Sequence, residues 1–416
     1  MHRQPARWPT QRTGGYTAGG LTIDKSLDIA VAGCGIAGMT AALLLAKDGH
    51  RVTIFERFDQ PRPIGSGLML QPTGLAVLNQ LELAAEALRR GQRIDRLRGE
   101  ADGRVVLDVR YSSLKDDRKF GVGIERSALF EILHNRLQGH GITVATGHEV
   151  IGIDGGSLVF EGTREGAFDL LIDALGTRSA LAPAAGRDLV YGALWTTAEI
   201  PDGGFDLHTL SQRYRRASIM AGVLPLGLRR VAFFWSLRAR DHAGWIEAGI
   251  DPWKRQVHAV WPAVGPILDQ IDAPDRMTFA RYAHKTLSRP VNGRLIHIGD
   301  SWHSASPQLG QGANMAMLDA WALAKALREQ SDVDAALKYA VHMRRGHIRL
   351  YQMLTSILTP VYQSDSKAIP FIRDRLMGPM SKLWPLPAFQ AALVSGLIGR
   401  PLNPLGIDFA PASSGR

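Results

Sequence analysis

Cysteine occurs once among 416 residues, at Cys34, so no internal disulfide can form and no cysteine cluster can hold zinc. A reducing cytoplasm is the compartment this predicts. No run approaches the ~18 apolar residues that a bilayer crossing needs, and the first 26 residues are basic and glycine-rich without an apolar core. That pattern excludes a secretory signal and predicts a disordered tail over 1–26. An HExxH pair, the GxSxG frame of a serine hydrolase, helix-turn-helix spacing and an aromatic RNA-binding signature are all missing. Metalloprotease, serine-hydrolase and nucleic-acid-binding readings fall with them, and no metal is expected. Acidic residues are the scarcer charge, 39 against 49 Lys and Arg, for a net +10. The surplus fits a soluble basic protein and leaves open a basic funnel that draws in an anionic small molecule.

The chain is long enough for two domains. Asp28–Glu56, DIAVAGCGIAGMTAALLLAKDGHRVTIFE, reads as a βαβ unit. It has an apolar strand at Asp28–Ala32, a glycine turn, an Ala/Leu helix over Met39–Asp48 and a second strand at Arg51–Phe55. Gly65–Leu70 reads as a loop, Leu75–Leu88 as one helix, and Arg93–Val109 as a hairpin turning at Asp102-Gly103. Ser127–Leu137 follows as a helix, Ile142–Ile153 with Gly156–Phe160 as a strand pair, and Phe168–Ala174 as a buried strand. From Val190 to Tyr282 aromatic and β-branched residues alternate, which predicts an antiparallel sheet. Arg294–Asp300 returns to a buried parallel-type strand, and Gly312–Gln330 to a long helix.

The expected organisation is therefore an α/β, Rossmann-like domain with an antiparallel β-sheet substrate domain inserted into it and helices at the C-terminal end. The nucleotide domain takes 27–92, 121–185 and 285–345. The sheet domain takes 93–120 and 186–284, and 346–416 is the helical region.

Gly33-x-Gly35-x-x-Gly38 sits between a strand and a helix, the context that gives this pattern meaning. Gly33 permits the turn, Gly35 admits a pyrophosphate, and Gly38 lets helix and sheet approach. Ile36 and Ala37 open the helix, whose N-terminus supplies free N–H donors and a positive dipole end. Glu56 closes the second strand where a ribose hydroxyl acceptor belongs, with Arg57 beside it. Far along the chain, Leu295–Ala320 reads LIHIGDSWHSASPQLGQGANMAMLDA. Asp300 ends a buried strand, where its carboxylate can bond a sugar-alcohol hydroxyl. Pro307, Gly310, Gln311, Gly312, Ala313 and Asn314 lead into a helix whose N-terminus suits a flat, electron-rich ring.

Together with Gly123–Leu133, GIERSALFEIL, these stretches resemble the class A FAD-dependent aromatic monooxygenases, the 4-hydroxybenzoate hydroxylase-like enzymes. Gly33, Gly35, Gly38 and Glu56 match that family's ADP fingerprint and ribose ligand. Arg126 matches its mid-chain FAD-contacting arginine, and Asp300 with Pro307, Gly310, Gln311 and Gly312 matches its flavin motif. The resemblance implies FAD as cofactor and NADH or NADPH as reductant. It also implies oxygen transfer from a flavin hydroperoxide that hydroxylates or epoxidises an aromatic or electron-rich small molecule. Two positions depart. Leu175 stands where the family carries an aspartate tied to FAD and NAD(P)H binding, and Trp302 replaces an alanine of the GDAAH pattern.

No single side chain is assigned as catalytic. His208, Tyr214, Met220, Phe233 and Trp235 are the candidate substrate wall, with Phe233 and Trp235 on one face of a strand and Phe234 on the other. His284 and His303 are candidate proton relays. A halogenase or reductase of the same superfamily is the alternative, but Trp195 through Pro201 lacks the second Trp of the halogenase motif. A flavin-binding protein reduced by a partner is the third reading. The apolar, basic stretch Pro379–Leu402 leaves peripheral membrane contact open beside a lipophilic substrate, and monomer and homodimer are both open.

Overall fold

A computed structural model describes residues 26–61, 65–200, 204–377 and 383–409. The expected tail lies outside them apart from Ser26.

The two largest sheets among the described residues have six and seven strands. The first runs in the order Val291–Asn292, Leu295–His297, Leu170–Asp173, Asp28–Ala32, Arg51–Phe55, Thr143–Ala145. Its strands are parallel apart from the edge strand Val291–Asn292. The crossover from Asp28–Ala32 to Arg51–Phe55 is the helix Ile36–Lys47, whose Ala/Leu run is buried from Gly38 to Leu45. Being apolar nearly all round, it is sandwiched between layers. The helices Arg126–Gln138 and Gly312–Glu329 pack against it, and the 30-residue helix Val333–Tyr362 covers the latter. Asp332 caps that long helix by accepting from the Ala335 amide at 2.9 Å.

The second sheet has seven strands, ordered Thr278–Ala280, Tyr191–Glu199, Arg230–Arg238, Ile219–Gly227, Thr209–Arg215, Arg96–Ala101, Arg104–Arg110. The predicted hairpin turns at Asp102 and Gly103, both with positive φ. The sheet is antiparallel with one exception: Thr209–Arg215 runs parallel to Arg96–Ala101. The long chain excursion between those strands permits a parallel join. One face packs Leu194, Phe233 and Trp235 against Trp253 and Trp261. The opposite face presents Tyr214, Met220 and Phe234 toward the first domain.

Local expectations fail where long-range pairing decides. Gly67–Leu70 is a strand paired with Gly121–Glu125 rather than a loop. The single helix over Leu75–Leu88 is two, Pro72–Gln80 and Ala84–Arg90, interrupted where Glu82 turns to φ 61°. Thr143–Ala145 leaves the expected strand pair to join the parallel sheet. Among the described residues no helix is long and apolar enough to cross a membrane.

Candidate functional site

The three motif glycines answer three different constraints. Gly33 has φ 105°, and a Cβ there would lie 2.7 Å from the Ala174 carbonyl oxygen. A Cβ on Gly38 would lie 2.0 Å from the Gly33 carbonyl oxygen, so only glycine lets the helix seat against the turn. Gly35 is exposed, and a Cβ there would meet nothing within 4 Å. Open ground thus lies in front of a helix N-terminus whose first turn, Ile36 and Ala37, holds amides without helical acceptors. Glu56 is held beside this turn, accepting from the Cys34 amide at 3.0 Å and the Phe58 amide at 3.2 Å. Arg57 is exposed and stacks over Phe58. Burial, reinforced by Glu56, pushes the Cys34 thiol up to about 12, which leaves it an inert packing group.

A cavity of about 1540 Å³ is lined on one side by Arg126, Asp300 and the 307–313 segment and on the other by strands of the seven-stranded sheet. That exceeds the roughly 300–1,000 Å³ of a single-ligand pocket and gives room for a cofactor ring and a second molecule. Arg126, Asp300, Pro307, Gly310, Gln311, Gly312 and Ala313 line one side, so the structure brings these sequence candidates together. Gly310 takes φ 61°, turning the chain into the helix Gly312–Glu329, whose N-terminus borders the cavity. Arg126 begins its own helix. Crowding by protein lowers its guanidinium from the usual range, and Asp300 works against that. Desolvation raises the Asp300 carboxyl, with His303 and Arg126 opposing. The exposed surface of Asp300 is cavity surface, so the group is screened by protein while still reachable by a ligand. Gln311 spends its amide nitrogen on the Val394 carbonyl at 2.5 Å, while its buried Oε1 has no partner. Asn314 differs from its neighbours. It is fully buried and bonds the Gln71 amide and the Met69 and Gly310 carbonyls, so it braces the loop from behind. An open glycine cradle, a helix N-terminus and Asp300 together fit a dinucleotide carrying a flat ring.

Behind this loop lies a charged network missed in the sequence. Asp319 accepts from the Gly299 amide at 3.0 Å, from His303 Nε2 at 2.5 Å and from Arg344 Nε at 2.8 Å. Burial works to raise its carboxyl, but His303 and Arg344 outweigh it and hold it below the ordinary value. Arg344 also reaches His347 Nδ1 at 3.0 Å, and His347 Nε2 meets the Gly396 carbonyl at 3.2 Å. His303 lines the cavity as well as belonging to this chain of groups.

The departures from the family pattern resolve into packing. Trp302 is 3% exposed in the first domain's core, its indole donating to the Leu287 carbonyl. Leu175 packs half-buried against the cluster of Phe55, Phe160 and Phe168. Asp173 is fully buried, bonded by His297 and Ser179 at 2.6 Å each, and brings no carboxylate to the cavity. Arg178, Arg187, Arg281 and the nearly buried Lys285 form a basic cavity wall. No ion pair neutralises any of them among the described residues.

On the sheet side Tyr214 and Met220 line the cavity. Three expected residues do not. His208 is exposed, with Nδ1 against the Arg93 carbonyl at 3.1 Å. Phe233 and Trp235 lie on the far face, edge-on to Trp253. Their neighbour Phe234 lines the cavity instead, its ring 4.6 Å from that of Trp195. Alternation separates two faces without saying which one a ligand meets. The cross-strand pairing of Trp195 with Phe234 was the missed signal, and Gly222 makes room for it, since a Cβ there would lie 1.9 Å from Phe234. His284 is held by Ser356.

A nucleotide-binding α/β protein built to hold FAD is the class these features define. A family model described as an FAD binding domain matches residues 26–349, and the chain belongs to that family. A putative FAD-dependent monooxygenase, YetM, of Bacillus subtilis (strain 168) is 26% identical over 330 residues, covering 76% of this chain and 88% of the relative. A probable 2-heptyl-3-hydroxy-4(1H)-quinolone synthase, AqdB2, of Rhodococcus erythropolis is 24% identical, covering 85% of this chain and 91% of the relative. Among solved structures, a 2-methyl-3-hydroxypyridine-5-carboxylic acid oxygenase mutant superposes with TM-score 0.76 at 21% identity, covering 91% of this chain and 98% of that one. The chain is an FAD-dependent oxidoreductase of the monooxygenase type.

Proposed function

We propose that this enzyme uses NADH or NADPH and dioxygen to hydroxylate or epoxidise an aromatic or otherwise electron-rich small molecule. The observation that carries this is the shared cavity, where Asp300 and Gly310–Ala313 face Trp195, Tyr214 and Phe234. When bound, the flavin supplies two-electron transfer from nicotinamide and the activation of oxygen.

The chain's own residues do the remaining work. Gly33, Gly35, Ile36, Ala37 and Gly38 offer backbone donors to a pyrophosphate, and Glu56 accepts from the ribose. Arg126 and Asp300 hold the stretch that leads into the cavity. The N-terminus of Gly312–Glu329 favours negative charge on a ring placed against it. Arg178, Arg187, Arg281 and Lys285 supply positive charge for the phosphates of an incoming nicotinamide nucleotide. Tyr214, Tyr282 and Tyr362 are all raised by burial, Tyr362 to about 12, so they stay protonated and act as hydrogen-bond donors rather than bases.

Leu175 favours a second reading, a flavoprotein reduced by a partner, because no carboxylate occupies that position. Activity without a transmembrane helix, in the cytoplasm, as monomer or homodimer and with peripheral membrane contact through the exposed Leu383, Trp384 and Phe389, completes the proposal.

The test is anaerobic stopped-flow reduction of the yellow holoenzyme by NADH and NADPH, followed by substrate-dependent oxygen uptake and a product one oxygen atom heavier. Protein that stays colourless after incubation with FAD ends the reading. FAD bound but untouched by both nicotinamides favours the partner-fed alternative, and Leu175→Asp is then expected to raise the reduction rate about tenfold, ~1.4 kcal/mol of barrier.

A further inference from the structure

The cavity sorts its charges. Its ionic side chains, such as Arg126, Arg178, Arg187, Lys285 and Asp300, come from the first domain and from the segments around 187–188 and 274–285. None comes from the six strands Arg96–Ala101, Arg104–Arg110, Tyr191–Glu199, Thr209–Arg215, Ile219–Gly227 and Arg230–Arg238. None comes from the C-terminal lining between Tyr351 and Val394. The charged residues of those strands do not line the cavity, and several are held in ion pairs. Arg96 pairs with Asp108 at 2.7 Å, and Arg98 and Arg213 both pair with Glu100. A cation behind the aromatic wall is Arg373, 1% exposed, stacked at 4.9 Å over Tyr214 and 5.6 Å over Tyr362. Its N–H groups go to Asp374 and to the Val361 and Arg216 carbonyls, and it does not line the cavity.

What this half of the cavity does offer is apolar and neutral. Leu97, Leu107, Val109, Leu210 and Leu224 surround the Trp195–Phe234 pair. The polar groups are neutral, among them the Gln212 amide, the Tyr214, Tyr351 and Tyr362 phenols and the Thr355 hydroxyl. Tyr214 donates to Gln212 Oε1 at 2.8 Å.

We propose that the sheet-side compartment selects a neutral, largely apolar aromatic substrate and rejects carboxylated aromatics. The substrate's ring lies along Trp195 and Phe234, and its polar groups meet neutral amide and hydroxyl groups such as those of Gln212 and Tyr214. A carboxylate placed there loses its water and finds no cation, a penalty far larger than the gain from the same ring contacts. This rests on the proposed monooxygenase reading and narrows its substrate class. The names of the relatives leave that question undecided, since one is a quinolone synthase and another a pyridine carboxylic acid oxygenase.

The experiment uses FAD-loaded full-length protein and three probes of one shape: 2-naphthol, methyl 6-hydroxy-2-naphthoate and 6-hydroxy-2-naphthoate. Binding is read at about pH 7.5, where the acid is ionised, from perturbation of the flavin visible spectrum, with no turnover required. The expected result is that naphthol and ester bind within about tenfold of each other, while the acid binds at least ~100-fold more weakly than the ester. Acid binding as tight as the ester, or no ester binding by flavin-loaded protein, overturns the proposal. Neither result touches the monooxygenase reading, which falls only if flavin fails to bind or to be reduced.

Discussion

Removing the Asp319 carboxylate should damage this protein more than any other single polar change near the site. Asp319→Ala deletes the acceptor for the Gly299 amide, His303 and Arg344 at once. Arg344 is 1% exposed and its Nη2 already lacks a partner, so the variant leaves a buried guanidinium whose remaining side-chain contact is a neutral imidazole. Stranding one member of a buried ion pair costs about 3–5 kcal/mol, against a total stability of roughly 5–15 kcal/mol. Domains of 150–250 residues shift by roughly 2–4 °C per kcal/mol, so the apo-protein midpoint is expected to drop about 6–20 °C. Asp319→Asn keeps an oxygen for Arg344 and should lose about half as much. The same carboxylate fixes the amide of Gly299, the positive-φ residue that aims Asp300. FAD affinity is therefore expected to fall about tenfold even at temperatures where the variant is folded. Thermal unfolding followed by circular dichroism and FAD titration by fluorescence quenching check both parts. A loss below ~1 kcal/mol in Asp319→Ala would refute the reasoning, since it would mean that Arg344 is rehydrated without cost.

Four further outcomes are expected. His347 is held well below its ordinary value by burial and then by Arg344. The unfolded chain therefore takes up a proton near pH 6.5 while the folded one resists it, and stability falls as pH drops below about 6.5. Melting scans from about pH 7.5 to 5.5 should show this slope, and His347→Gln should flatten it; an unchanged slope counts against the assignment. Asp319 acts in a lower window, its contribution complete above about pH 3.9 and lost as pH falls through its depressed folded value. Gly38→Ala puts a methyl 2.0 Å from the Gly33 carbonyl oxygen and should yield folded but colourless protein with FAD affinity down at least ~30-fold, about 2 kcal/mol; retained colour and affinity would contradict it. Phe233→Ala should cost about 3–5 kcal/mol of stability with ligand affinity unchanged, whereas Phe234→Ala should weaken aromatic ligand binding about tenfold. Equal effects on binding would mean that the two faces are assigned wrongly.

That last pair shows where the sequence is informative and where it stops. The nucleotide half is legible because its constraints are local and steric. Gly33 and Gly38 are forced by carbonyls 2.7 and 2.0 Å from where a Cβ would stand, and the backbone they allow is written in three consecutive motif positions. The hairpin at Asp102-Gly103 is legible for the same reason. The strand Gly67–Leu70 is not, because its identity comes from Gly121–Glu125, more than fifty residues away, and a Gly-Ser-Gly stretch alone reads as loop. The substrate half is least legible. A period of two separates Phe233 and Trp235 from Phe234, but both sets are buried, one under Trp253 and one in the cavity wall. Hydrophobicity is then the same on each side, and only the packing partner says which face a ligand meets. The Asp319–Arg344–His347 network fails for a related reason. Asp319 falls inside an apolar helix and Arg344 inside a basic stretch of another, and each taken singly passes for a surface charge. Their meaning lies in the pairing across two packed helices, a fact about the crossing of Gly312–Glu329 with Val333–Tyr362 that no one-dimensional spacing encodes.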